Sequence, residues 1–227
     1  GEILASFALT EADAGSDAGA SKTLARLENG RWRIDGSKLF ITNSSSPRAG
    51  VCIVQAVTGT SADGKKELSC ILVPAGTPGF TARKMTGKMV WRASDTGELF
   101  FDGCLVPEEN LLGERGQGFH QMLHTLDSGR LGIAATALGG AQGAFELALK
   151  YGRERKQFGK PIATFQAISF KLADMATEIE AGRELLRRAC RLKDTGRPFQ
   201  KQSAMSKLFC SELMGRVVDN AVQIFGA

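Results

Sequence analysis

Near residue 115 the hydrophobic period of this 227-residue chain changes from two to between three and four. The earlier part consists of short alternating stretches punctuated by Gly, Pro, Asp and Asn. Arg31 to Ile34 run into the turn dipeptide Asp35-Gly36, after which Lys38 to Thr42 alternate again. Val51–Val54, Cys70–Val73 and Glu98–Phe101 are further short runs, the last ending at Asp102-Gly103. After Gln117 only Pro161 and Pro198 occur, and they divide the remainder into three helical segments. The middle segment places Phe165, Ile168, Leu172, Met175, Ala176 and Ile179 on one stripe; the last does so with Val217, Ala221, Ile224 and Phe225. Leu131 to Leu149 is apolar or small nearly all round, which predicts burial among other helices. The pattern therefore predicts β then α: a β-barrel or sandwich over 1–115, then a long-helix bundle over 116–227. Helices of about 30 residues are about 45 Å long, so they overhang a domain this small and call for further chain or other subunits.

Composition removes several function classes. Net charge is +5, from 29 Lys+Arg against 24 Asp+Glu. The cations are dispersed apart from Arg183, Arg187, Arg188, Arg191 and Lys193, and aromatics do not interleave with them, so no nucleic-acid partner is expected. Mild positive charge suits an anionic small molecule. No apolar run approaches the ~20 residues of a bilayer span, so no membrane role is expected, and no secretion signal opens the chain. Cys52, Cys70, Cys104, Cys190 and Cys210 form no CxxC and read as free thiols in a reducing compartment.

Thr10 to Asp17 follow an apolar strand over 5–9. Gly15 lets backbone approach an anion and Ser16 adds N–H and hydroxyl donors, so the turn is either an anion loop or a polar connection. Thr10 and Thr42 offer hydroxyls to a flat cofactor. His120 and His124 have a zinc-compatible spacing but lack a third ligand, so no metal is expected. Arg155 either caps the first helix or meets a phosphate. Thr58 to Lys66 reads as an exposed hairpin loop.

Taken together, these motifs resemble the acyl-CoA dehydrogenase family, most closely its short-chain and short/branched-chain members. Phe7 to Glu11 with Ala14 to Asp17 form the first signature and Gly36 to Asn43 the second. Arg92 to Thr96, Val106 to Gly113, Gly116 to Phe119, Asp127 to Arg130, Arg153 to Gly159 and Gln223 to Gly226 follow in family order. The resemblance implies FAD as cofactor, with Phe7, Leu9, Thr10, Gly15, Ser16, Phe40 and Thr42 along the flavin. Phe40 stands where many relatives carry Trp. It further implies that Arg155, Phe158 and Gln166 hold FAD across a subunit boundary, and that Gln223 to Ala227, with Gly226, form a turn near the FAD adenosine end. Ser16, Asp127 and Arg130 fall on the substrate side.

The implied reaction is α,β-desaturation of an acyl-CoA thioester. A carboxylate takes the α-proton, a hydride leaves to the flavin, and electrons pass to electron-transfer flavoprotein. A homotetramer, built as a dimer of dimers in the bacterial cytoplasm or mitochondrial matrix, is also implied. Neither family location supplies the base within this sequence: one position is Gly129, and the other lies beyond Ala227. The sequence therefore reads as a fragment lacking an N-terminal helical domain and its catalytic glutamate. The alternatives are a non-catalytic subunit pairing with a full-length partner, and a relative with oxidase or monooxygenase chemistry. Ala12-Asp13 replaces the usual Pro-Gly, Val90 a usual Gly and Ala227 a second Gly, each expected to lower flavin affinity.

Overall fold

The computed structural model describes residues 1–61 and 64–226, which form two compact units, residues 1–123 and 124–227. Ala62 and Asp63 of the expected hairpin loop, and Ala227, lie outside the described residues.

The first unit is one curled, half-barrel sheet of seven strands: β1 (Leu4–Ala8), β2 (Leu24–Glu28), β3 (Arg31–Thr42), β4 (Ala49–Thr60), β5 (Lys66–Pro74), β6 (Phe80–Lys84) and β7 (Thr96–Pro107). Their order is β1-β4-β2-β3-β7-β6, with β5 also paired to β4. β1 runs parallel to β4, pairing Phe7 with Ile53, and β2 meets β4 only at Leu24↔Val57. Trp32, Ile34, Val54, Ile71, Leu99 and Val106 form the buried face.

Neither Asp-Gly dipeptide is a hairpin turn, contrary to the sequence expectation. β3 continues across Asp35-Gly36, and β7 across Asp102-Gly103. Both are kinks where the β3–β7 register shifts, and Asp35 Oδ1 accepts the Gly103 N–H at 2.7 Å across the pair. The hairpin turn lies instead at Asn29-Gly30, whose φ values of 49° and 73° join β2 to β3. Gly36, at φ 148°, leaves no room for a side chain, because a Cβ there would lie 2.7–2.9 Å from Thr23. Gly36→Ala is expected to cost about 2 kcal/mol, read as a lower urea midpoint at unchanged slope. A cost under about 0.5 kcal/mol would contradict this reading of the kink.

The helices are α1 (Gly118–Glu154), α2 (Gln166–Asp194) and α3 (Gln200–Phe225). At 37, 29 and 26 residues they are about 55, 44 and 39 Å long. A two-strand hairpin of β8 (Lys156–Gln157) and β9 (Lys160–Pro161) separates α1 from α2. The core of the second unit joins Ala134, Ala137, Leu138 and Ala141 to Leu172, Met175, Ile179, Leu213 and Val217. Its small residues on α1 let neighbouring helices approach closely.

Four expectations need correction. Leu131 to Leu149 is buried on one side only, since Ile133 and Leu147 lie on the opposite face, 54% and 62% exposed. Ala176 is exposed, because the α2 stripe continues instead through Gly182 and Ala189. Phe165 precedes α2 as its N-cap residue. Phe225 is partly exposed and stacks on Tyr151, ring centroids 4.5 Å apart. Among the described residues no helix is long and apolar enough to cross a membrane. All five cysteines are free thiols.

Candidate functional site

Two of the implied flavin-side motifs meet at β3. Lys38 lies on the inward parity of Trp32 and Ile34 and is 1% exposed. Its ammonium donates to the Leu9 carbonyl at 3.0 Å, to Glu11 Oε1 at 2.8 Å and to Ser21 Oγ at 3.0 Å. The next residue, Leu39, donates its N–H to the Thr10 carbonyl at 2.9 Å. A buried charge is tolerated only when paired and hydrogen-bonded, and this arrangement meets that condition. Burial works to raise the Glu11 carboxyl, but hydrogen bonds from Lys38, Ser21 and the Lys22 amide outweigh it and hold it at about 2. Burial pushes Lys38 below the usual lysine range, opposed by Glu11.

Phe7, Leu9, Thr10, Phe40 and Thr42 are brought to this one region of the sheet unit. The side chain of Leu9 is buried with Cys70 and Met122, and Phe7 packs on the same cluster, so Leu9 presents backbone rather than side chain. At Phe40 the β3–β7 register slips, φ turns to 60°, and the ring is left 59% exposed. Thr42 is exposed and pairs with Thr96. Asp95 fixes the following loop: its carboxylate accepts the Ser45 N–H at 2.8 Å and Oγ at 2.6 Å, and its carbonyl accepts the Asn43 N–H.

Gly15 and Ser16 are exposed on the segment between Glu11 and β2. Asp13, read from sequence as an unfavourable charge there, is paired with Lys22 at 2.7 Å. An open cavity of about 620 Å³ in this unit is lined by Gly19, Lys66, Glu67, Phe119 and His120. His120 and His124 are both exposed, and no metal-ligating group of three exists among the described residues.

In the second unit, Arg130 donates to the Asp127 carboxylate, and Ser203 Oγ donates to the Asp127 carbonyl at 2.5 Å. The remaining implied residues gather at one end of the helices. Arg155 closes α1, and its carbonyl accepts the Ile162 N–H at 2.8 Å. Phe158, 92% exposed at φ 52°, tips the β8–β9 hairpin and meets Phe165 edge to face. Gln166 opens α2, while Gln223 and Gly226 close α3 near Tyr151. All five are exposed, and Arg155 has no ion-pair partner among the described residues.

This donor set suits a long polar cofactor carrying a flat ring and a diphosphate. The hydroxyls of Thr10, Ser16 and Thr42 have no hydrogen-bond partner among the described residues, and a Cβ at Gly15 would meet nothing within 4 Å. The sequence reading gave no role to Lys38 or Asp95, which lie inside its motifs, and missed Ser21 and the cavity at Lys66. Lys38 alone carried a signal, its inward parity on β3.

The model of the acyl-CoA dehydrogenase middle domain matches residues 6–104, and that of the acyl-CoA dehydrogenase C-terminal domain matches residues 116–227. The mitochondrial short-chain specific acyl-CoA dehydrogenase of Mus musculus is 47% identical over 226 residues, covering 100% of this chain and 54% of its own length. Butyryl-CoA dehydrogenase from Megasphaera elsdenii superposes with a TM-score of 0.93 at 44% identity, over 99% of this chain and 58% of that one. A chain from a structure described as electron transferring flavoprotein of Acidaminococcus fermentans gives 0.93 at 45%, over 99% and 58%. The chain thus spans a little over half the length of such relatives. Its two matched regions, in sequence order and covering most of its residues, show that it belongs to the acyl-CoA dehydrogenase family.

Proposed function

We propose that this chain provides the flavin- and thioester-binding part of a short-chain acyl-CoA dehydrogenase that converts an acyl-CoA to its 2-enoyl-CoA and passes electrons to electron-transfer flavoprotein. The observation carrying this reading is the junction of the Phe7–Ser16 and Phe40–Thr42 segments through Lys38 and Leu39. Bound FAD would supply the redox chemistry. The chain's own residues orient and bind: Thr10, Thr42 and Phe40 beside the ring, and Gly15 and Ser16 at the diphosphate. Arg155, Phe158 and Gln166 would contribute from a second copy, in keeping with a homotetramer, and Gln223 and Gly226 would lie near the adenosine end. In the 620 Å³ cavity Lys66, His120 and Phe119 are assigned to the phosphate-rich nucleotide end of a CoA thioester, with the Glu67 carboxylate of the same lining held by Arg115. Asp127 and Arg130 are assigned to the acyl side.

Glu11 is unsuited to proton abstraction, since its carboxylate accepts four hydrogen bonds and is held at about 2. Asp127 is engaged by Arg130, so neither of these two carboxylates is free to take the α-proton. Butyryl-CoA added to the FAD-loaded 227-residue chain is therefore expected to perturb the flavin spectrum without bleaching it. Bleaching would place a competent base among these residues, and an unperturbed spectrum would remove thioester binding.

A further inference from the structure

The segment from Glu11 to Thr23 leaves the sheet after β1 and returns to it at β2, and one buried carboxylate joins its ends. Glu11 Oε1 accepts Ser21 Oγ at 2.5 Å and the Thr23 N–H at 3.1 Å, while Oε2 accepts the Lys22 N–H at 2.7 Å. Lys38, reaching in from β3, binds that carboxylate, Ser21 and the Leu9 carbonyl together. Along the segment, Glu11 and Ala14 exchange backbone hydrogen bonds at 3.0 and 3.2 Å, and Gln55 Nε2 holds the Ala18 carbonyl at 2.9 Å. Gly15 and Ser16 lie between these anchors.

We propose that Glu11 and Lys38 are positioning residues that hold the Gly15–Ser16 turn in one anion-receiving shape, so that a buried ion pair sets the chain's affinity for the FAD diphosphate. The inference rests on the flavin reading above. At 8% and 1% exposure, the two side chains are withdrawn from the exposed face of the turn and act through its backbone. Ordering a segment of this length during binding would cost on the order of 1 kcal/mol for each residue fixed, and a preformed loop avoids that cost. A buried ion pair is weak as a source of net stability against an apolar replacement, which favours a role in specifying one conformation. Cys52 and Cys70 also face Lys38, but burial pushes both thiols up to about 11, so Glu11 is its one anionic partner at neutral pH.

The test compares the wild-type chain with Glu11→Gln, Lys38→Met and Ser21→Ala by amide hydrogen exchange and by FAD fluorescence titration. Each variant is expected to exchange roughly tenfold faster across residues 12–22 with β5 still protected, and to bind FAD roughly tenfold more weakly. Unchanged exchange across 12–22 in a variant that keeps β5 protected would overturn the proposal. So would faster exchange with unaltered FAD affinity. Should Lys38→Met lose β5 protection, Ser21→Ala decides, because it removes a link of the network without stranding a charge. Wild-type protein that binds no FAD would overturn the flavin reading, while the exchange arm, run without FAD, still decides whether the pair holds the turn.

Discussion

Lys38→Met is expected to destabilise the sheet unit by about 3–5 kcal/mol. The substitution leaves the Glu11 carboxylate buried with only Ser21 and two backbone N–H groups as partners. It also strips the Leu9 carbonyl of the ammonium that binds it at 3.0 Å. Glu11→Gln strands the ammonium in the same way, so a loss of similar size is expected. The double variant Lys38→Met/Glu11→Leu removes both charges and should recover much of the loss, because the penalty belongs to the unpaired ion. Urea titration followed by the fluorescence of buried Trp32 would read this unit, the other tryptophan, Trp91, being already exposed in the folded chain. Strict additivity of the Lys38→Met and Glu11→Leu single effects in that double variant would show that the charges are not coupled, contrary to the 2.8 Å contact.

Acid should remove a comparable amount. The Glu11 carboxyl lies at about 2 in the folded chain against 4.5 for the free group. A folded-state value depressed in this way contributes stability that is complete above the unfolded value and is lost as pH falls through the folded one. The window therefore runs from pH 4.5 down to about 2, and its size is about 3 kcal/mol. Lys38 stays protonated throughout that window and does not reverse the sign. Glu11→Gln should flatten this part of the curve. An acid limb of the same depth in Glu11→Gln and wild type would place the responsible carboxylates elsewhere, Asp95 first, since hydrogen bonds from Ser45 hold it low against its own burial.

The sequence announced the order β then α because the hydrophobic period changes once and clearly, and because Pro161 and Pro198 fall where helices must stop. It misled at Asp35-Gly36 and Asp102-Gly103. A dipeptide that favours a positive-φ turn equally favours a kink inside a long strand, and cross-strand pairing of β3 with β7 decides between them. Asn29-Gly30 carried the hairpin signal and went unread. At the candidate site, the turn at Gly15-Ser16 and the cation at Arg155 were legible as local chemistry. The Glu11–Lys38 pair was not, because its members are 27 residues apart and meet only once β3 lies beside the end of β1. The loop-holding role of Asp95 went unread for the same reason, its partner Ser45 lying 50 residues away. The exposed aromatics Phe40 and Phe158 both have positive φ, a backbone state invisible to composition or period.

The most direct measurement is the visible absorption spectrum of the purified 227-residue protein after incubation with FAD and removal of unbound cofactor. A retained flavin band, diminished in the Glu11→Gln and Ser21→Ala variants, is the predicted result. Folded but colourless wild-type protein would contradict the account, because the residues gathered around Lys38 would then not suffice to hold the cofactor.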